Sequence, residues 1–237
     1  MHLQARDLIK RYGLTTALDL PQLDIDSGAS FGLVGNNGAG KTTFLRLVLD
    51  LIKATQGQVL LDGLNVATET NWKGRTGSYL APSFLIDYLT PVEYIYFVGN
   101  LYGLSQIQTA EKWASYAPFF GDQPLDEGQY IRNLSEGNKK KVGLVAALMV
   151  EPHLLILDEP FANLDPTSQI RLKDMLKKVD ESPATTLILS SHDLNHVTEV
   201  CGRIAVIERG AIVRDIATTP DTLRQLESYF AVEGLNT

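Results

Sequence analysis

Cysteine is almost absent: Cys201 is the only one in 237 residues. That excludes an intrachain disulfide and any cysteine-based metal centre, and a reducing, cytoplasmic setting is the expectation. Long apolar runs are missing too. None approaches the roughly 18–20 residues needed to span a bilayer, and the opening stretch Met1–Asp7 has no apolar signal region behind basic residues. Work at a membrane would therefore go through a partner. Positive charge is scarce: 21 Lys and Arg stand against 28 Asp and Glu, a net charge of −7. A duplex-binding face needs a basic excess, so no nucleic acid partner is expected. No repeat, low-complexity tract or long linker interrupts the chain. With 44% apolar and 21% charged residues it can bury a real core, and its length suits one large domain or a core with a smaller inserted subdomain.

The first thirty residues read as short strands, with Leu18, Leu20, Leu23 and Ile25 spaced between Asp and Gln. Phe31–Val34 is a short apolar strand running into a glycine-rich loop. Phe44–Ile52 is apolar on most sides, the pattern of a helix buried inside a domain, and Val59–Gly63 is a strand ending in a turn. From about Thr90 the character becomes helical. Thr90-Pro91-Val92-Glu93 supplies a capping Thr, Pro at the first helical position and Glu three residues after the cap. The segment that follows, to Tyr102, carries Tyr94, Tyr96 and Phe97. Gly103, Pro118, Gly121 and Pro124 then break the pattern into short helices. Leu154–Leu157 is a buried strand, and a helix follows Asp165-Pro166, with Leu172, Met175, Leu176 and Val179 at helical spacing. Thr186–Ser190 and Ile204–Ile207 are further strands, with a helix near Leu194–Val200 between them. Such alternation predicts a mainly parallel sheet, with residues from about 85 to 150 inserted as a helical subdomain.

Gly35-Asn36-Asn37-Gly38-Ala39-Gly40-Lys41-Thr42 fits the phosphate-loop pattern in full and lies between a strand and a helix, where phosphate binding requires it. Its glycines let the backbone curl so that successive N–H groups face phosphate oxygens, and the helix N-terminus adds partial positive charge. Lys41 can reach the β- and γ-phosphates, and the Thr42 hydroxyl can ligate Mg²⁺; Thr43 follows on the same turn. Four apolar residues leading to Asp158-Glu159 supply the acidic partner. A strand buried on both faces tolerates a carboxylate only at its C-terminal end, which opens toward the ligand crevice. Asp158 is placed to hold the Mg²⁺ shell, and Glu159 to orient or deprotonate an attacking water.

At this point the chain resembles the nucleotide-binding domain of ATP-binding cassette (ABC) transporters along nearly its whole length. Besides Gly35–Thr42 and Leu154–Glu159, Leu134-Ser135-Glu136-Gly137-Asn138 is similar to the family signature loop. Ala162-Asn163-Leu164-Asp165 resembles the loop along the dimer interface, and Ser190-Ser191-His192-Asp193 the switch-histidine segment. Details such as Phe31–Asn37 and Leu101–Leu104 look most like the bacterial ABC-2-type exporter branch. The resemblance implies an α/β fold: a P-loop NTPase core with a mainly parallel sheet, an N-terminal antiparallel β subdomain and an inserted α-helical subdomain, all within one domain spanning 1–237. It implies ATP and Mg²⁺ as ligands, a second ATP-binding subunit (a homodimer is expected), a separate transmembrane permease, and a peripheral place on the inner face of the cell membrane. Tyr12 would stack on adenine, and Ser135 and Gly137 would face ATP held by the opposing subunit. His192 would hydrogen-bond the γ-phosphate and hold the attacking water.

Glu136 and Asn138 stand where the commonest signature has Gly and Gln. A carboxylate in a helix's first turn is favourable, so Glu136 is expected to point away from nucleotide. Lys139, Lys140 and Lys141 read as a solvated face. The segment Ala81-Pro82-Ser83 carries no carboxamide or carboxylate where the family usually has Gln, and no residue is given that role. Two other readings stand beside a transport ATPase: a soluble ABC-type ATPase, and an ATP-binding regulator with little hydrolysis. A GTPase is disfavoured because no Asn-Lys-x-Asp motif is present.

Overall fold

The structure, a computed structural model, describes residues 1–121, 128–182 and 184–233. Pro124, one of the helix breaks expected from sequence, lies outside them. Two sheets organise the chain. The first is antiparallel, with strand order β2-β1-β4-β5: β1 (Leu3–Tyr12), β2 (Thr15–Ile25), β4 (Gln56–Leu61) and β5 (Leu64–Asn65). β1 and β2 are longer than the short strands expected, at 10 and 11 residues. They zip into a hairpin whose outer strand leaves its polar residues in solvent, and β1 also pairs with β4.

The second sheet has six strands in the order β10-β9-β3-β8-β7-β6: β3 (Ser30–Val34), β6 (Thr76–Tyr79), β7 (Leu154–Asp158), β8 (Thr186–Ser191), β9 (Arg203–Glu208) and β10 (Ala211–Ala217). The β6–β7, β7–β8, β8–β3 and β3–β9 pairings are parallel, and only β10 runs antiparallel, on the edge. The apolar run of β7 has a direct cause. Leu154 and Ile156 enter one core with Phe44 and Leu45, while Leu155 and Leu157 enter another with Val142 and Val145. Both faces are covered, so alternation disappears.

Helix α1 (Lys41–Val48) ends sooner than its apolar run suggests. Asp50 adopts φ +52, the Asp50 N–H returns to the Leu47 carbonyl and the Leu51 N–H to that of Arg46. That double return closes the helix and outweighs continued apolarity. Between β6 and β7 lie α2 (Pro91–Leu101), α3 (Gln106–Ser115) and α4 (Glu136–Leu148). Thr90 caps α2 in a full capping box with Glu93. α4 packs so closely on β6 that a Cβ at Gly77 would lie 2.3 Å from the Ala147 carbonyl oxygen. Helices α5 (Pro166–Asp180), α6 (Leu194–Val200) and α7 (Thr222–Glu233) complete the chain.

The phosphate-loop segment is tied to the antiparallel sheet. The Gly210 N–H donates to the Ala39 carbonyl, and the Asp19 N–H to that of Gly210, both at 2.8 Å. Gly40 at φ +115 and Gly210 at φ +84 both press on the Ala17 carbonyl oxygen, where a Cβ would come within 2.8 and 2.9 Å. Only glycine fits this junction without strain.

Candidate functional site

The loop after β3 delivers Asn36–Thr43 to a cleft of about 160 Å³ that these residues line together with Glu159. Lys41, on the first turn of α1, is buried. Its ammonium donates to the Gly35 carbonyl at 2.6 Å and that of Asn36 at 3.4 Å, and lies 3.3 Å from Glu159 Oε1. Three oxygens therefore gather around the Lys41 ammonium.

Next to it, Thr42 Oγ1 donates to Asp158 Oδ2 at 2.6 Å. The other Asp158 oxygen accepts from the Ser190 hydroxyl. Strand register explains the meeting, because Asp158 sits directly opposite Ser190 in the β7–β8 pair. Ser190 is completely buried and also accepts the Glu159 N–H through Oγ at 3.1 Å. Sequence reasoning gave Ser190 no role. Its signal was a serine near the end of β8, in the segment that leads to His192, and its contact with Asp158 cannot be read until the register is known. Ser190→Ala is expected to cost about 1–3 kcal/mol, the cost of leaving buried polar groups unsatisfied; urea denaturation reads this directly, and an unchanged midpoint would contradict it.

Glu159 has φ +47. For a non-glycine residue this left-handed conformation costs roughly 1–2 kcal/mol, and the following Pro160 narrows the backbone choices further. In return the side chain turns into the cleft. Oε2 lies 2.8 Å from His192 Nδ1, whereas Oε1 is buried, makes no hydrogen bond and faces the Lys41 ammonium. With Glu159 ionised, Nδ1 must be the donor, so Nε2 is the ring nitrogen left for another partner. The carboxylate is thus held between a cation and an imidazole with one oxygen unspent. That arrangement can orient a water and take its proton.

The other expected site residues are not all gathered here. Tyr12 ends β1 about half exposed, with Lys10 Nζ 4.8 Å from its ring centroid, outside the cleft lining. Ser135 is the N-cap of α4 and accepts from the Asn138 N–H at 3.2 Å; Gly137 follows in the first turn. Neither lines the cleft. Glu136 Oε1 pairs with Lys139 at 2.8 Å. The solvated lysine face is a correction: Lys140 and Lys141 are both 6% exposed. Lys141 approaches Asp165 at 3.4 Å, and Lys140 reaches main-chain carbonyls. A charge run reads as solvent-facing only when no buried acceptors await it, and here the turn after β7 supplies them. Residues 81–83 offer no carboxamide: Ala81 is extended and Pro82–Phe84 form a 3₁₀ turn.

Beyond β6 lies a hollow of about 400 Å³ lined by Trp72, Tyr79, Phe84, Leu85, Tyr94 and Tyr102 among others. Phe84 of that lining is exposed, as are Tyr88, Phe97 and Leu101.

Similarity to known proteins agrees with this geometry. The family profile described as ABC transporter matches residues 18–162. The linearmycin resistance ATP-binding protein LnrL of Bacillus subtilis is 32% identical over 241 aligned positions, covering 99% of this chain and 76% of that protein. The bacitracin transport ATP-binding protein BcrA of Enterococcus faecalis is 31% identical over 215, covering 90% and 68%. Among solved structures, one described as the ATP binding subunit of an ABC transporter superposes with TM-score 0.80 at 26% identity, covering 96% of this chain and 94% of that one. The ATP-binding cassette MJ0796 gives TM-score 0.81 at 22% identity, covering 92% and 99%, a likeness of fold.

Proposed function

Because this chain belongs to the ABC transporter family of ATP-binding proteins, we propose that its cleft hydrolyses ATP through the residues just described. The subunit is an ATPase that drives transport, and subunits of this kind dimerise and work with membrane permease components. Among the described residues no helix is long and apolar enough to cross a membrane. The observation that carries the site assignment is the Glu159 carboxylate, held between Lys41 and His192 at the mouth of the loop that ends in the Thr42–Asp158 pair.

In this reading the loop from Gly35 to Thr43 grips the triphosphate, and Lys41 exchanges its loop carbonyls for phosphate oxygens. Glu159 accepts the proton of the attacking water, and His192 steadies that water and the γ-phosphate. The Thr42 hydroxyl and the Asp158 carboxylate fit Mg²⁺: both are hard oxygen donors, side by side. When bound, Mg²⁺ would neutralise charge on the phosphates. Tyr12 would stack on adenine. The chain works as one cassette over 1–237, with the helices between about 85 and 150 as its inserted subdomain, and Ser135 and Gly137 at the start of α4 face ATP on a second copy.

The permease would seat in the aromatic hollow beside α2, with the chain held at the inner face of the cell membrane. Its apolar lining and exposed Phe84 and Phe97 support that placement. Sedimentation tests the shared site: Mg-ATP should raise the wild-type mass toward a dimer. Ser135→Arg should stay monomeric while its own loop still binds ATP, since the bulky cation stands at the α4 N-terminus. A Ser135→Arg chain that dimerises like wild type would remove the two-copy arrangement.

A further inference from the structure

Lys140, in the second turn of α4, is among the least exposed charged residues of the chain. Lysine is almost never so buried unless its ammonium is engaged. Here Nζ donates to the Glu159 carbonyl at 2.7 Å and to the Ala162 carbonyl at 2.6 Å, and lies 5.8 Å from the Tyr79 ring centroid. Burial lowers its pKa from the ordinary lysine value, while the charges of Glu159 and Asp158 oppose that shift. The Glu159 main chain is therefore gripped from two sides. Its N–H is taken by Ser190 of β8, through both the carbonyl and the hydroxyl at 3.1 Å. Its C=O is taken by Lys140 of α4, with only a longer 3.3 Å bond from the Ala162 N–H beside it.

We propose that Lys140 is a positioning residue for hydrolysis: by clamping the carbonyls of Glu159 and Ala162 it fixes the direction in which the Glu159 carboxylate leaves the main chain. The left-handed Glu159 backbone gains its support from these clamps, and rotating that peptide would swing the carboxylate away from Lys41 and His192. Lys140 also belongs to the helix whose N-terminus Ser135 caps, so a displacement of that helix reaches Glu159 through one side chain. No carboxamide from residues 81–83 offers a competing link. The proposal rests on the ATPase reading of the cleft.

Lys140→Met keeps the apolar stem and removes the donors. Turnover should fall about 10–100-fold, as expected for displacement of a reacting group by an ångström or so, with KM for Mg-ATP and directly measured Mg-ATP affinity within about threefold of wild type. Lys140→Arg, which restores N–H donors, should recover most of the rate. In a Glu159→Gln background, Lys140→Met should remove little more, because the two residues act as one unit. If the Met variant does not fold, Lys140→Leu, which also lacks donors, carries the same comparisons. A wild-type rate in Lys140→Met, an equal loss of nucleotide affinity, an Arg variant no better than Met, or full additivity with Glu159→Gln would each overturn the proposal. Equal rates for wild type and Glu159→Gln would instead sink the underlying ATPase reading, and this proposal with it.

Discussion

Glu159→Gln lowers ATP turnover about 10²–10⁴-fold, the range that general-base catalysis contributes, while Mg-ATP affinity stays within a few-fold. The substitution is isosteric, so the left-handed turn and its Ser190 and Lys140 anchors survive. What disappears is the carboxylate proposed to accept the water's proton. The amide oxygen can still accept from His192 Nδ1, which then leaves the amide NH₂ facing the Lys41 ammonium, 3.3 Å away in the wild type. Two donors facing each other gain nothing, but the open side of the cleft gives the amide room to turn. Steady-state phosphate release together with equilibrium nucleotide binding checks the split. Equal, background-level rates in parent and variant would favour an ATP-binding regulator over a working ATPase.

Lys41→Ala weakens Mg-ATP binding by about 100-fold. A hydrogen bond to a charged group contributes roughly 1.5–3 kcal/mol, and about 3 kcal/mol corresponds to a factor near 100 in affinity. Lys41 is buried and aimed into the cleft, so no solvated neighbour replaces it. The same change strips Glu159 Oε1 of its facing cation and leaves a buried, unpaired oxygen. A drop in stability of the ligand-free protein, about 1–3 kcal/mol for an unsatisfied buried group, therefore accompanies the loss of affinity. Calorimetric titration reads the first effect and urea denaturation the second. Affinity untouched by this substitution would remove the phosphate loop from the account altogether.

Much of the fold and of the cleft was legible in the residues because the chemistry there is local. Eight consecutive residues build the phosphate loop, a buried strand has to release its carboxylates at its tip, and Thr90 announces its helix through a capping box. What stayed hidden depends on contacts between segments distant in sequence. Ser190 became meaningful only once β8 was paired with β7 in a register that sets it across from Asp158. The buried state of Lys140 and Lys141 contradicts their composition, because the acceptors that admit them lie about twenty residues downstream. The early end of α1 turned on a left-handed Asp50, which no apolar pattern encodes. The length of β1 came from two neighbours, one of them some fifty residues away.

The stitching of Ala39 and Gly40 to Gly210, Ala17 and Asp19 has a mechanical meaning. A loop pinned at its middle to a neighbouring sheet is no free flap, and it cannot slide toward whatever sits beside it without dragging the β1–β2 hairpin along. Loop and antiparallel sheet therefore keep a fixed relation to each other. Only the far tip of that hairpin, around Gly13 and Leu14, stands clear of its neighbours.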